Sequence, residues 1–345
     1  MRILLIGCFD SYLHPYVEKY ISIFKKNNVS YNFVYWNRSN RHDIDDHNAI
    51  SFDYNMNSYR SFIYKIKGYL KYRSFVLKLM KREKYDKLVF LTTQSAMLFY
   101  KMTKKFKGKY LFDYRDVTYE KFSFYKKLTN NIVKNSINTI ISSKGFLSNF
   151  NDNYYEKIIL CHNTKGKFEI EKLAKTSSDK IRVVFWGMVR QVNYYKNVFD
   201  FFSKNENFSV HIYGDGYLMQ INQIIRDKKY KNIFVHGPYK QETLKEIAKN
   251  TDILLNCYSN NSIQKNALTV KMYEGIKYMI PMVIQKDSYM DKYLLDVGYP
   301  HYSIDFDNCV NEYNFGELNL ENVNVSFILE DQAYFDENIE KFVKE

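Results

Sequence analysis

The chain has 345 residues, 46% of them hydrophobic, with 51 Lys and Arg against 38 Asp and Glu and a formal net charge of +13. That length suggests two domains with material for two cores, and the hydrophobic share excludes a disordered chain. No apolar run approaches the roughly 20 residues that span a bilayer, and the first seven residues are too short for a signal peptide, so a cytoplasmic protein is expected.

Short apolar runs alternate with longer amphipathic segments, the pattern of parallel α/β sheets. In the first half, strands are predicted at 3–6, 32–35, 88–91, 110–112, 139–141 and 157–160. Helices are predicted near 12–26, 59–82, 95–105, 125–135 and 144–151, and 36–57 reads as a polar loop. Residues 1–165 hold 29 Lys and Arg against 13 acidic residues, whereas the remainder holds 22 against 25. The excess is densest in 60–109, with 15 basic residues and only Glu83 and Asp86 opposed to them. Tyr59, Phe62, Tyr64, Tyr69, Tyr72, Phe75, Phe99, Tyr100 and Phe106 are interleaved with those cations. Such a stretch suits an anionic membrane surface. It also suits nucleic acid, although no recognised nucleic-acid module is present, and a solvated face in a chain rich in Lys, Asn and Tyr is the plain alternative.

Residues 166–180 read as a linker between a first domain, 1–165, and a second, 181–320, with 321–345 as a C-terminal helical segment. In the second domain, strands are predicted at 182–186, 209–213, 233–236, 253–257 and 282–284. The helices are placed at 196–204, 217–228, 241–249 and in the stretch after Asn266, with a terminal helix at 330–343. The two halves read as doubly wound sheets, which would hold a ligand at their strand C-termini.

Cysteines 8, 161, 257 and 309 are far apart without a C-x-x-C pair, which argues for buried free thiols rather than a disulfide frame or zinc site. The seven histidines lack metal-ligand spacing. His42 and His47, in a polar loop, offer at most adventitious binding. Neither a metal nor a cofactor is expected.

The chemistry concentrates in the second half. A strand ending at Gly187 would let backbone approach a ligand, with Arg190 and Lys196 following as a guanidinium and an ammonium able to clamp a diphosphate. Gly214-Asp-Gly216 reads as a turn at a strand end, too short for a dinucleotide fingerprint. Tyr239, after His236-Gly-Pro, could carry a nucleobase. From Asn266 to Ile284 the chain reads as loop, short helix, turn and a buried strand starting at Pro281. On that helix Lys271 and Glu274 are three apart and share a face, offering a cation to a phosphate and a carboxylate to vicinal hydroxyls. The amides of Ala267, Leu268 and Thr269 at its start could hold a further phosphate oxygen. A surface ion pair is the plain reading of the same spacing.

Taken in order, Gly187…Arg190…Lys196, Tyr-Gly-Asp-Gly, His-Gly-Pro-Tyr, Asp252, Lys271-x-x-Glu274 and Pro281-Met-Val-Ile resemble a GT-B glycosyltransferase. The likeness is to the retaining family 4 group of bacterial capsule, O-antigen and exopolysaccharide synthesis. The resemblance implies two facing Rossmann-like doubly wound domains with a C-terminal helix. It implies that Arg190 and Lys196 bind the donor diphosphate and that Glu274, closing the E-x7-E motif, binds the ribose hydroxyls. The first glutamate of that motif is replaced by Asn266, whose amide still hydrogen-bonds a sugar hydroxyl. In the first domain, Asp113-Tyr-Arg115-Asp116 resembles the family's acceptor-side segment, with an ion-pair knot around Arg115 as the structural alternative. His14, in the loop after the first strand, would lie near the transferred sugar, and His162-Asn163 would form a ligand-facing strand end.

The expectation is therefore an enzyme of the hexosyltransferase type, retaining and metal-independent, using a UDP- or GDP-linked sugar. Its acceptor would be a glycan or lipid-diphosphate-linked oligosaccharide met at the inner face of the plasma membrane through 60–109. The rivals are a noncatalytic nucleotide-sugar-binding relative, a sugar-nucleotide epimerase of the same fold, and a basic nucleic-acid-binding protein.

Overall fold

The computed structural model describes residues 1–40, 46–56, 61–164, 168–261, 263–308, 310, 312–321 and 323–345. His42, Tyr59, Cys309 and the start of the expected linker lie outside the described residues. The chain divides into two compact units, Met1–Gly166 with Ile328–Glu345, and Lys167–Phe327.

The first unit is a parallel sheet of β1 (Arg2–Gly7), β2 (Ser30–Asn37), β3 (Ala49–Asp53), β4 (Lys87–Leu91), β5 (Tyr110–Tyr114), β6 (Thr139–Ile141) and β7 (Ile158–Leu160), in the order β3-β2-β1-β4-β5-β6-β7. Its helices are α1 (Val17–Lys26), α2 (Phe62–Glu83), α3 (Thr93–Leu98), α4 (Tyr100–Lys105) and α5 (Ser123–Asn135). β4 and β5 are buried along their whole length, as strands covered on both faces must be, and therefore read as continuous apolar runs. Ser61 caps α2, accepting from the Tyr64 amide at 3.3 Å. Gly68 costs that helix some intrinsic stability but allows its close approach to the sheet, since a Cβ there would lie 2.9 Å from the Trp36 ring.

The second unit is again parallel: β8 (Ile181–Val189), β9 (Phe208–Gly216), β10 (Ile233–Gly237), β11 (Ile253–Leu255), β12 (Met282–Gln285) and β13 (Tyr302–Ile304), ordered β10-β9-β8-β11-β12-β13. α6 (Val192–Phe202), α7 (Leu218–Lys228), α8 (Leu244–Lys249), α9 (Val270–Lys277) and α10 (Tyr289–Asp296) connect the strands. The last helix, α11 (Ser326–Lys344), does not form a segment of its own. From Ile328 onward it belongs to the first unit, where Phe335, Ile339 and Phe342 pack with Tyr20 and Phe24 of α1.

Three further differences from the sequence reading have local causes. β3 hides in the stretch read as a loop because polar neighbours surround its five edge residues, four of them half-buried and Asp53 exposed. The single helix expected at 95–105 is broken at Phe99, whose φ of −106° and ψ of 28° leave the α region. α10 and β13 lie in a stretch for which no element was expected. Cys8, Cys161 and Cys257 are buried free thiols, and burial pushes the Cys8 thiol up to about 12. Among the described residues no helix is long and apolar enough to cross a membrane.

Candidate functional site

A parallel sheet gathers the loops after its strands along one edge. In the second unit, that edge brings together the ends of β8, β10 and β11 and the start of α9. Trp186, near the end of β8, is fully buried and needs an acceptor for its indole N–H. Nε1 donates to Glu274 Oε2 at 2.7 Å, fixing the carboxylate of α9 over the strand end. Tyr239 lies in the same environment: burial, then the charge of Glu274, pushes its phenol up to about 12.

Lys271 differs from its expectation as an open phosphate clamp. Its side chain is buried, with Nζ 3.4 Å from the centroid of Phe185 and 5.0 Å from that of Tyr258. Nζ makes no hydrogen bond. Desolvation lowers this amine from its ordinary value to about 7, against smaller opposing contributions from Cys257 and Glu274. A cation over an aromatic face recovers only part of the lost hydration. Lys271 is thus a buried amine with no hydrogen-bond partner among the described residues, on which Glu274 acts only through space. Tyr258 is raised mainly by its own burial, with Arg190 acting against and Glu274 with that shift, so the four side chains share one field.

Beside them lies a groove of about 530 Å³, lined by Arg190, Gln191, Asn193, Tyr217, Ser259 and Asn261 among others. Gln191 clamps its wall, donating to Gln264 Oε1 at 3.1 Å and accepting from the Ser259 amide at 2.9 Å. Arg190 is exposed at this groove; Lys196, on the second turn of α6, is exposed but not among the residues lining it.

The glycines act differently from the sequence reading. β8 does not stop at Gly187 but continues to Val189, pairing Gly187 with Gly214 and Val189 with Gly216. Gly214 has φ +146°, and a Cβ there would lie 1.7 Å from the Gly187 carbonyl oxygen. Its missing side chain therefore serves strand-to-strand packing. Gly187, at φ +113°, has open space where a Cβ would be.

At the start of α9, the Ala267 amide is already bonded to the Gln264 carbonyl at 2.9 Å, which removes it from the expected phosphate set. Among the described residues, the amides of Leu268 and Thr269 have no backbone partner. Thr269 caps α9, accepting from the Met272 amide at 3.2 Å and donating to Asn256 Oδ1 at 2.9 Å. Asn266 ends the short 3-10 turn Ile263–Asn266 just before it and is half-buried. Asp252 lies at the opposite edge of the sheet, just before β11, holding Arg182 at 2.9 Å.

The first-unit candidates are mostly inward. His14 is fully buried, its Nδ1 3.0 Å from the Tyr16 hydroxyl, and burial drives its imidazole down to about 3. A Cβ on Gly7 would lie 2.7 Å from its Nε2. The ring is therefore neutral and enclosed rather than exposed in a loop, with Nε2 lacking a hydrogen-bond partner among the described residues. Arg115 is also enclosed: it reaches Asp113 at 2.5 and 2.9 Å and the Cys161 carbonyl at 2.8 Å, and stacks 4.1 Å over Tyr16. The knot alternative describes this geometry. Asp116 next to it is exposed. His162 is buried and bonds Asp331 of α11 at 2.9 Å, so it anchors the terminal helix rather than facing a ligand. Among the described residues, no group of three or more His, Cys, Asp or Glu is placed to hold a metal ion.

Sequence reasoning missed Trp186 and the Gln191 clamp, whereas Tyr258 was legible as part of the polar run 258–261 just past a strand end. Trp186 carried a signal, since a Trp closing a buried strand demands a nearby acceptor. Gln191 gave none.

No family model matches the chain, and no curated protein matches it. Solved structures do. Sucrose-phosphate synthase from Thermosynechococcus elongatus aligns with a TM-score of 0.68 at 11% identity, over 100% of this chain and 94% of that one. The fold is GT-B. Anabaena HepE in complex with UDP and glucose aligns with a TM-score of 0.59 at 11% identity, over 99% and 94%. A putative UDP-N-acetylglucosamine 2-epimerase from Listeria monocytogenes aligns at 0.53 and 10%, over 99% and 91%.

Proposed function

We propose that this GT-B protein is a glycosyltransferase that moves a hexose-type unit from a UDP- or GDP-linked sugar to a lipid-diphosphate-linked oligosaccharide in bacterial surface polysaccharide synthesis. The observation that carries the reading is the pairing of a fixed carboxylate, Glu274 on Trp186, with a buried amine lacking a hydrogen-bond partner, Lys271, one turn away on α9. A nucleoside diphosphate has the two complements, vicinal ribose hydroxyls and negative charge.

In this reading Glu274 accepts from the ribose hydroxyls and Tyr239 flanks the base. Arg190 and Lys196, the free amides of Leu268 and Thr269, and the charge of Lys271 hold the diphosphate. They stabilise the negative charge that grows as the anomeric C–O bond breaks, the role a divalent ion plays elsewhere, so the reaction is proposed to be metal-independent. The acceptor hydroxyl oxygen bonds the anomeric carbon as the C–O bond to the diphosphate breaks, and its proton passes to the departing diphosphate oxygen. With no strong base in the donor site, the protein supplies positioning and electrostatics, which fits a retaining course. Asn266 takes the donor-sugar position by amide hydrogen bonding. Asp116 remains the exposed acceptor-side candidate of the first unit, and the basic 60–109 region meets the inner membrane face.

A thermal-shift series with UDP, GDP and their sugar conjugates tests this. One nucleoside diphosphate should stabilise the wild type and fail to stabilise Glu274→Ala. The fold shared with an epimerase gives a second reading, in which the nucleotide sugar is converted with no acceptor present. Product analysis without acceptor separates the two.

A further inference from the structure

Of the aromatic residues interleaved with cations in 60–109, several face inward. Tyr72 and Phe99 are buried, and Tyr72 stacks on Trp36 with ring centroids 5.4 Å apart. The exposed apolar groups are others. Phe62 is 76% exposed, Ile63 78%, Ile66 44% and Leu70 60%. They fall at i, i+1, i+4 and i+8, a single stripe along the first turns of α2. Residues 62–82 carry seven Lys and Arg and no acidic residue. Lys67, Lys71, Lys78 and Lys81 share the outward face with that stripe.

A second tip has the same make-up. Ahead of and within the first turn of α5, Tyr119 is 57%, Phe122 56% and Phe124 73% exposed, with Lys121, Lys126 and Lys127 around them. The topology puts the two tips at one end of the first unit. α2 follows β3, α3 follows β4 and α5 follows β5, and every crossover moves in the same direction along the parallel sheet. Right-handed crossovers then place all three helices on one face, with their N-termini at the C-terminal edge of the sheet. α3 lies between, since Tyr72 of α2 meets Phe99 at its end and α3 packs on α5. Two helix spacings separate the tips, about 20 Å.

We propose that the first unit docks on anionic lipid through these two tips, the N-terminal turns of α2 and the 119–124 turn. Exposed Phe, Ile and Leu at the end of a cationic helix match an acyl–headgroup boundary: apolar side chains enter and lysines meet lipid phosphates. A second copy of the same cationic face would be repelled. The proposal deepens the membrane contact named above, and it sets the sheet edge that carries Asp116 against the bilayer.

Vesicle sedimentation of the full chain, without nucleotide sugar, tests it, so its failure would leave the transferase reading standing. The probes are vesicles of phosphatidylcholine alone and of phosphatidylcholine mixed with phosphatidylglycerol. The wild type should bind the anionic vesicles and far less of the neutral ones. Phe62→Ser combined with Ile63→Ser and Ile66→Ser should weaken partitioning at least about tenfold. Phe122→Ser with Phe124→Ser should weaken it through the second tip. Each of Lys67→Gln and Lys121→Gln, at the two tips, should cost about fivefold at low salt and less as salt is added. The idea is overturned if both sets of apolar variants sediment like wild type, or if the protein ignores anionic vesicles. It is also overturned if the cations retain single-stranded nucleic acid while vesicles stay unbound.

Discussion

Each unit buries a cation near the C-terminal ends of its strands, and the two are treated oppositely. In the first unit, Arg115 follows β5 and is fully paired: Asp113, a carbonyl and the Tyr16 ring surround it. In the second unit, Lys271 sits against ring faces and has no hydrogen-bond partner among the described residues. A buried charge that the protein itself neutralises belongs to the architecture, because removing either partner strands the other. A buried amine left without a hydrogen-bond partner is a cost that folding alone would remove, which points to a partner supplied from outside.

The largest expected effect breaks the paired side. Asp113→Asn should destabilise the protein by about 3–5 kcal/mol, because Arg115 and the Tyr20 hydroxyl both lose their carboxylate. Denaturant unfolding measures it. Next, Glu274→Ala should weaken nucleoside diphosphate binding about 10–100-fold while leaving the Trp186 indole without its acceptor, read by titration calorimetry.

Lys271→Met should act with opposite signs on stability and binding. The folded protein holds this amine at about 7, below its ordinary 10.5. Between those values the unfolded chain binds the proton and the folded chain does not, so stability rises with pH across that window and the penalty is complete below it. Replacing Lys271 by a similar-sized apolar side chain should raise the unliganded midpoint at pH 6 and flatten the slope between about pH 7 and 10. The same variant should lose diphosphate binding. The smallest effect concerns Lys196, exposed and not lining the groove: Lys196→Gln should leave stability within about 0.5 kcal/mol of wild type and weaken binding less than Arg190→Gln does.

Much of the fold was legible because parallel strands covered on both faces announce themselves as apolar runs, as β1, β4 and β5 do. Edge strand β3 was not, since a half-exposed strand among polar residues lacks that contrast. At the site, the i,i+3 spacing of Lys271 and Glu274 correctly put both on one short helix. It could not show that Phe185 and Tyr258 would cover the lysine, because burial on α9 is decided by strands distant in sequence. His14 lies inward for the same reason, and Arg115 takes the ion-pair knot its flanking aspartate allowed: loop composition gives residue type, but the packing of β1 and β5 decides enclosure.

The most direct test is proton uptake on nucleoside diphosphate binding at pH 8, by calorimetry in buffers of different ionisation enthalpy. If Lys271 provides the waiting charge, the mostly neutral amine should be driven toward its protonated form by the bound phosphates. The wild type should then take up close to one proton, about none being taken up by Lys271→Met in whatever binding it retains. Binding of equal strength in both proteins, with no proton taken up by the wild type, would contradict the account.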